Sequence, residues 1–244
     1  MPYYANKGQV SYGEAIGILL LDSFIPFPPG DVGNASTYSF PVRYKVVKGA
    51  SVDRLINQQD PSLLEPFIEA GHELVKEGVK AITGDCGFMI LFQERLAREF
   101  PVPVFMSSLL QVPFISRMLK PEEKVGIISA DSRNLTDRHL RAAGIDENMK
   151  VKVVGMQDQK YFFDAILAEK GELNFEEVQK EVVSVSTKLV KDDERIRAIL
   201  LECSDLPPYA AAIQESVKLP VFDFTTMINY VYLALVRKKF EGFM

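Results

Sequence analysis

Short apolar runs alternate with amphipathic stretches along the whole chain. The runs are rich in Val, Ile and Leu and have the length of buried parallel strands. They predict strands at residues 15–21, 40–47, 79–83, 103–106, 125–129, 151–154, 196–201 and 220–222. Apolar residues at helical spacing predict helices at residues 61–77, 89–100, 109–119, 131–143, 161–168, 175–190, 208–217 and 225–240. Because strands alternate with helices, the sequence predicts an α/β fold with parallel sheets.

Two of the predicted strands lead to the two cysteines of the chain and match in register. Each strand ends in an acidic residue followed by Cys86 or Cys203, and each cysteine precedes a helical pattern and then a Pro-Val-Phe sequence. The cysteines differ by 117 positions (203 minus 86), and so do Pro103 and Pro220 (220 minus 103). A gapless repeat of this kind indicates an internal duplication.

The duplication predicts two similar α/β lobes, each a short parallel sheet flanked by helices, related by a pseudo-twofold axis. The first lobe is predicted to comprise residues 1–118 plus 225–244 and to contain Cys86. The second is predicted to comprise residues 119–224 and to contain Cys203.

Two segments between these elements carry specific local signals. Residues 24–34 contain three prolines and two glycines, which predicts an irregular loop after the first strand. Such a loop is either a site loop or a rigid surface turn. Residues 131–134 (Asp-Ser-Arg-Asn) are typical of a helix N-terminus, so the fourth helix is predicted to begin there.

Composition and charge narrow the class of partner. Of the 244 residues, 47% are apolar and 25% are charged, as in ordinary globular proteins. The net charge of −5 and the lack of a Lys/Arg cluster argue against nucleic acid as a partner. The apolar run at residues 15–21 is too short to span a bilayer and lacks the flanks of a signal peptide. We therefore expect a cytoplasmic protein without a membrane partner, whose thiols are reduced.

Most of the polar candidates follow the predicted strands. In open parallel sheets, ligands bind beyond the carboxyl ends of the strands, so these side chains are expected to share one cleft between the lobes. The predicted catalytic residues are Cys86 and Cys203. The predicted substrate-binding residues are Asp22, Ser23, Asn34, Asp85, Gly87, Phe88, Ser107, Ser132, Glu202, Ser204 and Asp205.

The two cysteines have less specific interpretations as well. They could be buried, inert thiols, and a disulfide is disfavoured by the expected compartment. A metal site is disfavoured because the two histidines, His72 and His139, lie in helix-like stretches. The symmetric placement of the cysteines at strand ends favours a chemical role instead.

Two thiols on opposite faces of one carbon suit inversion of its configuration. One removes the proton from Cα as a thiolate, and the other delivers a proton to the opposite face. A position before a helix lowers a cysteine pKa, and both cysteines precede helix-like stretches. The chain lacks a Gly-rich dinucleotide motif, a Walker motif and a lysine in a pyridoxal phosphate context, so no cofactor is expected.

The chain resembles the aspartate/glutamate/hydantoin racemase superfamily over nearly its whole length. The resemblance is carried by residues 83–87 (Thr-Gly-Asp-Cys-Gly) and 201–205 (Leu-Glu-Cys-Ser-Asp), with a weaker match at Asp22-Ser23. It implies that Cys86 and Cys203 are catalytic and that the protein forms a homodimer or higher homo-oligomer. The chain departs from the family pattern at Asp85 and Glu202, where the family has small residues. These carboxylates could oppose thiolate formation, serve as auxiliary bases, bind a substrate amine, or point away from the cleft.

The resemblance implies a cofactor-independent racemase or epimerase. Its substrate would be a small carboxylate, an amino acid or a hydantoin. Two alternatives keep the same superfamily: a decarboxylase or a maleate-type cis–trans isomerase. A non-catalytic, two-lobed protein that binds a small ligand is the alternative of a different class.

Overall fold

The computed structural model describes residues 2–244 and contains all of the predicted strands. Their bounds are β1 Ile16–Leu20, β2 Val42–Val46, β3 Ala81–Gly84, β4 Val104–Phe105, β5 Lys124–Ser129, β6 Val151–Gly155, β7 Ile196–Leu201 and β8 Val221–Phe222. Apolar runs such as Ile16–Leu20 are buried on both faces, which is the environment that favours continuous β-branched and aliphatic residues.

The strands form two four-stranded parallel sheets with the same order. The first sheet runs β2-β1-β3-β4 and the second runs β6-β5-β7-β8. The pairing also repeats residue by residue: Ile82 faces Val104 in the first sheet, and Ile199 faces Val221 in the second. Both pairs are separated by the same 117 positions as the cysteines, so the predicted duplication and α/β class are confirmed.

Helices flank both sheets. Their bounds are α1 Leu64–Lys76, α2 Gln93–Glu99, α3 Val112–Met118, α4 Asp137–Ala142, α5 Lys160–Phe162, α6 Phe175–Asp192, α7 Ala210–Val217 and α8 Phe224–Leu235. Several begin after a tighter 3₁₀ turn, of which Gly87–Phe92 before α2 is the longest. The chain therefore makes one tight turn directly after Cys86 and continues as an α-helix only from Gln93.

Two predicted helix bounds were wrong. The helix predicted from Asp131 begins at Asp137, and its N-cap is Thr136. The Asp131 carboxylate instead accepts hydrogen bonds from the backbone of Arg133 at 2.9 Å and the side chain of Asn134 at 3.2 Å, which closes a separate turn. Short polar side chains favour such local turns as strongly as they favour helix caps. The last helix ends at Leu235, five residues before the predicted end.

Each lobe also contains a π-helical turn that the sequence did not predict. The two turns are Asp53–Asn57 and Phe163–Leu167. Each is followed by a residue in the left-handed region, Gln59 and Glu169, both with φ of 48°. The side chain of Gln59 donates to the backbone of Asn134 at 3.2 Å, and Glu169 accepts from the backbone of Phe24 at 3.0 Å. Both turns thus connect one lobe to the other.

The core is continuous across the two sheets. Leu19 and Ile82 of the first sheet belong to the same buried apolar cluster as Ile127 and Leu200 of the second. The segments that follow β1, β3, β5 and β7 meet at one cavity, which is lined by Leu21, Asp85, Ala130 and Glu202 among others.

Helix α8 packs on the outer side of the first sheet. Its buried residues Phe224 and Ile228 share a cluster with Ile16 and Ile18. The predicted assignment of residues 225–244 to the first lobe, like the other lobe boundaries, stays a prediction. No helix within residues 2–244 is long and apolar enough to cross a membrane.

Candidate active site

The two acid-cysteine pairs lie at equivalent positions just beyond β3 and β7. The backbone of Asp85 donates to the carbonyl of Leu19 at 3.1 Å, and the backbone of Glu202 donates to the carbonyl of Ile128 at 2.8 Å. Each sheet ladder is thereby extended by one bond past the strand. The following residues, Cys86 and Cys203, leave the sheets and line a common cavity.

This cavity is narrow and mostly closed. Its free space is about 20 Å³, enough for about one water molecule. The polar lining consists of Ser23, Asp85, Cys86, Glu202, Cys203 and Asp205. The apolar lining consists of Leu21, Ile25, Phe27, Val52, Ile56, Phe88, Ala130 and Ile166. The loop that carries Ile25 and Phe27 forms part of the cavity wall.

Asp85 is fixed by the end of β1. Both of its carboxylate oxygens accept a hydrogen bond from the backbone of Leu21 at 3.1 Å. The residue is 7% exposed, and burial raises the pKa of its carboxyl to about 8, with a smaller contribution from Asp205. Asp85 is therefore mostly a neutral acid at pH 7.

Glu202 occupies the matching position in the second lobe. Its Oε2 accepts a hydrogen bond from the hydroxyl of Ser129 at 2.8 Å, whereas its Oε1 is buried without a partner. Burial raises the pKa of this carboxyl to about 7. Glu202 packs directly on Gly87, where an added Cβ would clash with Oε1 and lie 2.5 Å from the Glu202 carbonyl oxygen. Gly87 thus permits the two lobes to approach at the site.

The side chains of Asp85 and Glu202 both lie at the cavity, so neither points away from it. Segment 201–205 is held there by hydroxyl groups from both lobes. Ser108 donates to the carbonyl of Leu201 at 2.9 Å, and Ser204 donates to the carbonyl of Asp85. The acid-cysteine segments of the two lobes are therefore joined by direct hydrogen bonds.

Cys203 has a carboxylate partner. Its Sγ donates to Oδ2 of Asp205 at 3.2 Å. The carboxyl of Asp205 interacts with that of Asp31, and Oδ1 of Asp205 and Oδ2 of Asp31 are both buried without another hydrogen-bond partner. One proton held by Asp31 would let Asp31 donate to Asp205. Burial raises both pKa values, that of Asp205 to about 6 and that of Asp31 well above its ordinary range. Because Asp31 holds the proton more tightly, Asp205 is ionised at neutral pH and faces the thiol.

The prediction of lowered thiol pKa values was wrong. Burial raises the pKa of both cysteines well above the ordinary value. The carboxyls of Glu202 and Asp85 add to this effect at Cys86, and those of Asp205 and Glu202 add to it at Cys203. Cys86 is the N-cap of the turn Gly87–Phe92, but a single 3₁₀ turn does not offset the loss of solvent and the negative neighbours. Both thiols are neutral in the free protein at pH 7.

Several predicted binding residues have structural contacts instead of a place in the cavity wall. Asp22 is exposed, and its carboxylate lies 3.5 Å from the backbone nitrogen of Gly49. Asn34 caps the turn after it and donates to the carbonyl of Phe27 at 2.8 Å. Ser107 caps the turn that precedes α3. The hydroxyl of Ser132 accepts from Gln157 at 3.0 Å. Ser23 and Phe88 line the cavity, and their role in substrate binding stays a prediction.

Sequence reasoning missed Asp31 and the apolar wall. Asp31 is 2% exposed and lies in the Pro-rich loop at residues 24–34, for which a site loop was one of two interpretations. A carboxylate within that loop was the sequence signal that could have identified Asp31 as a site residue. Ile56 and Ile166 come from the two π-helical turns, which have no sequence signature of their own.

Positive charge is absent from the cavity wall, as far as residues 2–244 show. None of the lining residues is Lys, Arg or His. The same part of the chain contains no group of three or more His, Cys, Asp or Glu side chains arranged to hold a metal ion. The site consists of two neutral thiols, three lining carboxyls and an apolar wall, with the buried carboxyl of Asp31 interacting with Asp205.

Solved racemases and a decarboxylase share this fold. Allantoin racemase from Pseudomonas fluorescens superposes with a TM-score of 0.62 and 15% identity, and the match covers 91% of each chain. A mutant of arylmalonate decarboxylase superposes with a TM-score of 0.60 and 13% identity, covering 92% of this chain and 94% of that one. The fold is therefore the one that these racemases and decarboxylases share, which confirms the resemblance at the level of the fold. At these identities the likeness shows the fold alone.

Proteins related in sequence identify the family to which the chain belongs. The chain is 32% identical to dimethylsulfoniopropionate lyase from Durusdinium sp. clade D, over 86% of this chain and 71% of that protein. It is 31% identical to dimethylsulfoniopropionate lyase 7 from Emiliania huxleyi, over 91% of this chain and 67% of that protein. The chain belongs to the dimethylsulfoniopropionate lyase family. No family model matches it.

Proposed function

We propose that this chain is a lyase that cleaves dimethylsulfoniopropionate into dimethyl sulfide and acrylate. The family relationship supports the reaction type, and the contact between Cys203 and Asp205 is the observation that carries the mechanism. An elimination needs a base at one carbon and a leaving group on the next. It does not need a second proton transfer to the opposite face, which distinguishes it from racemisation.

The proposed reaction balances without an external reagent. A base removes the proton from carbon 2, next to the substrate carboxylate. The electron pair of that C–H bond becomes the π bond between carbons 2 and 3. The bond from carbon 3 to sulfur breaks, and its electron pair leaves with neutral dimethyl sulfide. The products are acrylate, dimethyl sulfide and one proton, which stays on the base.

Cys203 is the proposed base, activated by Asp205. Its thiol is neutral in the free protein, so the proton must first pass to Asp205, whose oxygen lies 3.2 Å from the sulfur. A bound cation that lies closer to the sulfur than to the Asp205 carboxylate favours this transfer, because it then stabilises the thiolate more than the carboxylate. The resulting thiolate takes the proton from carbon 2 of the substrate.

Asp85 is the proposed acid that binds the substrate carboxylate. With a pKa of about 8 it carries a proton at pH 7 and can donate a hydrogen bond to the carboxylate as negative charge accumulates there. A carboxyl kept neutral by burial is an established device for stabilising such charge. Asp205 and Asp85 thus have different roles because their surroundings separate their pKa values.

The test is release of dimethyl sulfide from dimethylsulfoniopropionate, measured in the headspace by gas chromatography. We expect wild type to release it, Cys203→Ala to lose at least a hundredfold in kcat, and Asp205→Asn to lose at least tenfold, in line with loss of general-base catalysis. Asp22→Asn, an exposed carboxylate outside the cavity, is the matched control and should retain full activity. Absence of dimethyl sulfide with wild type, or full activity of Cys203→Ala, would refute the proposal.

A two-thiol racemase is the second candidate. It is favoured by one observation: Cys86 and Cys203 both line the cavity, whereas the elimination needs one base. In the lyase, Cys86 would contact the substrate without accepting its proton. Cys86→Ala therefore separates the two functions, because it should abolish racemisation but leave a measurable part of the elimination.

A further inference from the structure

We propose that residues 23–27 form a flap that controls access to the two thiols, and that Glu169 holds this flap closed. The flap lies shortly after β1 in the first lobe. Glu169 follows the π-helical turn Phe163–Leu167, on the connection between β6 and β7 of the second sheet. The inference depends on the contacts of the flap and is independent of the substrate and of the reaction.

The flap is an outer part of the cavity wall. Its residues Ser23, Ile25 and Phe27 line the cavity and are half-buried, whereas Phe24 between them is 70% exposed. The wall residues that come from the two π-helical turns are buried. Solvent therefore lies on the far side of the flap, and displacement of the flap would open the cavity toward it.

Two contacts fasten the flap to the second lobe. The backbone N–H of Phe24 donates to Oε1 of Glu169 at 3.0 Å. Within residues 2–244, no other hydrogen bond joins the flap to the second lobe. The second contact is apolar: the ring of Phe24 lies on Gly171, where an added Cβ would overlap it. Because the hydrogen bond lies at the surface, water can replace it, so the two contacts form a latch that can open.

The duplication repeats this contact in the opposite direction. Gln59 and Glu169 differ by 110 positions (169 minus 59), and so do Phe24 and Asn134 (134 minus 24). Gln59 and Glu169 both have a φ of 48°, which residues other than glycine rarely adopt. The side chain of Gln59 donates to the carbonyl of Asn134 at 3.2 Å. Each left-handed residue therefore reaches the loop of the other lobe, and the repeated unfavourable conformation indicates a constraint at these two positions.

The two contacts differ in strength. Asn134 also donates to the side chain of Asn57 at 3.1 Å, so two hydrogen bonds connect the lobes at that loop. One hydrogen bond, that of Phe24 with Glu169, connects them at the flap. Segments with fewer stabilising contacts open at a lower free energy. The flap is therefore the side of the cavity wall that opens first.

Alkylation by iodoacetamide at pH 8 measures access to the thiols directly, because the two cysteines of the chain, Cys86 and Cys203, both line the cavity. Mass spectrometry of the digested protein gives the rate at each cysteine. Cys203 is 6% exposed, whereas Cys86 is half-buried, so Cys203 is the more sensitive reporter.

Glu169→Ala removes the hydrogen bond of the latch. We expect Cys203 to be alkylated about fivefold faster in this variant than in wild type, because the flap shifts toward its open position. Glu169→Gln keeps an acceptor oxygen for the N–H of Phe24, and its rate should stay within about twofold of wild type. Gln59→Ala should also stay within about twofold, because Asn57 still holds Asn134.

Gly171→Ala displaces the ring of Phe24 and should accelerate alkylation of Cys203 by about fivefold as well. Gly144→Ala is the matched control. Gly171 and Gly144 have φ of 74° and 75°, but an added Cβ at Gly144 meets only Pro113, at 3.8 Å. Gly144→Ala therefore has the same backbone strain without contact to the flap, and it should be alkylated at the wild-type rate.

Three results would overturn the inference. Wild-type rates in both Glu169→Ala and Gly171→Ala would show that the latch does not control access. Equal acceleration in Gly144→Ala and Gly171→Ala would show that the thiols are reached by global unfolding instead of through the flap. A larger effect of Gln59→Ala than of Glu169→Ala would place the opening at the other loop. Because alkylation needs no turnover, these results are independent of whether dimethyl sulfide is released.

Discussion

Replacement of Asp85 by Asn should stabilise the protein, and the gain should grow with pH. The carboxyl of Asp85 is buried beside the site, and burial raises its pKa from an ordinary value near 4 to about 8. The folded state therefore holds this proton more tightly than the unfolded state. Below pH 4 the carboxyl is protonated in both states, and stability is then lost as pH rises from 4 to 8. Asn carries no titratable proton, so the free energy of unfolding of the variant does not fall for this reason as pH rises.

The size of the effect follows from the shift. One pKa unit corresponds to about 1.4 kcal/mol, so the advantage of Asp85→Asn should increase by about 3 kcal/mol between pH 5.5 and pH 8. Against this stands a constant cost of about 1 kcal/mol, because Asn offers Leu21 one acceptor oxygen and buries an amide group. The variant should be about 1 kcal/mol more stable than wild type at pH 5.5 and about 4 kcal/mol more stable at pH 8.

Urea unfolding followed by far-ultraviolet circular dichroism measures this difference, since the chain contains no Trp. With typical urea dependences, the unfolding midpoint of Asp85→Asn at pH 8 should exceed that of wild type by about 1 M. Asp22→Asn is the control and should follow wild type at both pH values. A difference between Asp85→Asn and wild type that is the same at pH 5.5 and pH 8 would refute the raised pKa.

Three further perturbations test the site. Gly87→Ala should lower the free energy of unfolding by about 1–3 kcal/mol and should also lower activity, because the new methyl group displaces Glu202. Gly242→Ala, where an added Cβ meets no neighbour, is the matched control. Unchanged unfolding of Gly87→Ala would contradict the close contact. Activity of wild type should fall below about pH 6, where Asp205 gains its proton. This loss of activity should occur at higher pH in Asp31→Ala, because Asp205 loses a hydrogen-bond donor, and at the wild-type pH in Asp31→Asn. Measurement of kcat from pH 5 to pH 8 checks both predictions. An unchanged pH dependence in Asp31→Ala would contradict the shared proton.

The sequence predicted the parts of the fold that depend on local pattern and on repetition. The eight strands were recognisable because buried parallel strands are continuous apolar runs. The duplication placed Cys86 and Cys203 at equivalent strand ends, and the acid-cysteine pairs followed from the same register. These inferences needed no knowledge of how the lobes pack.

Features that depend on contacts between the lobes were not predictable. The burial that raises the pKa of both thiols arises only when the two sheets share one core. The pairing of Asp31 with Asp205 joins residues 174 positions apart (205 minus 31), and nothing in either local sequence signals it. The turn at Asp131 was misread because the same residue types cap helices and close turns. The departure from the family pattern at Asp85 and Glu202, in contrast, was visible in the sequence, and both side chains lie at the cavity.

The most direct test of the central claim is proton NMR in D2O with wild-type protein. Dimethylsulfoniopropionate is offered in one sample, and single enantiomers of amino acids and 5-substituted hydantoins are offered in others. The account predicts acrylate and dimethyl sulfide from the first sample and no inversion or deuterium incorporation at Cα in the rest. Deuterium incorporation with inversion of an amino acid or hydantoin, together with intact dimethylsulfoniopropionate, would contradict the account and establish the two-thiol racemase.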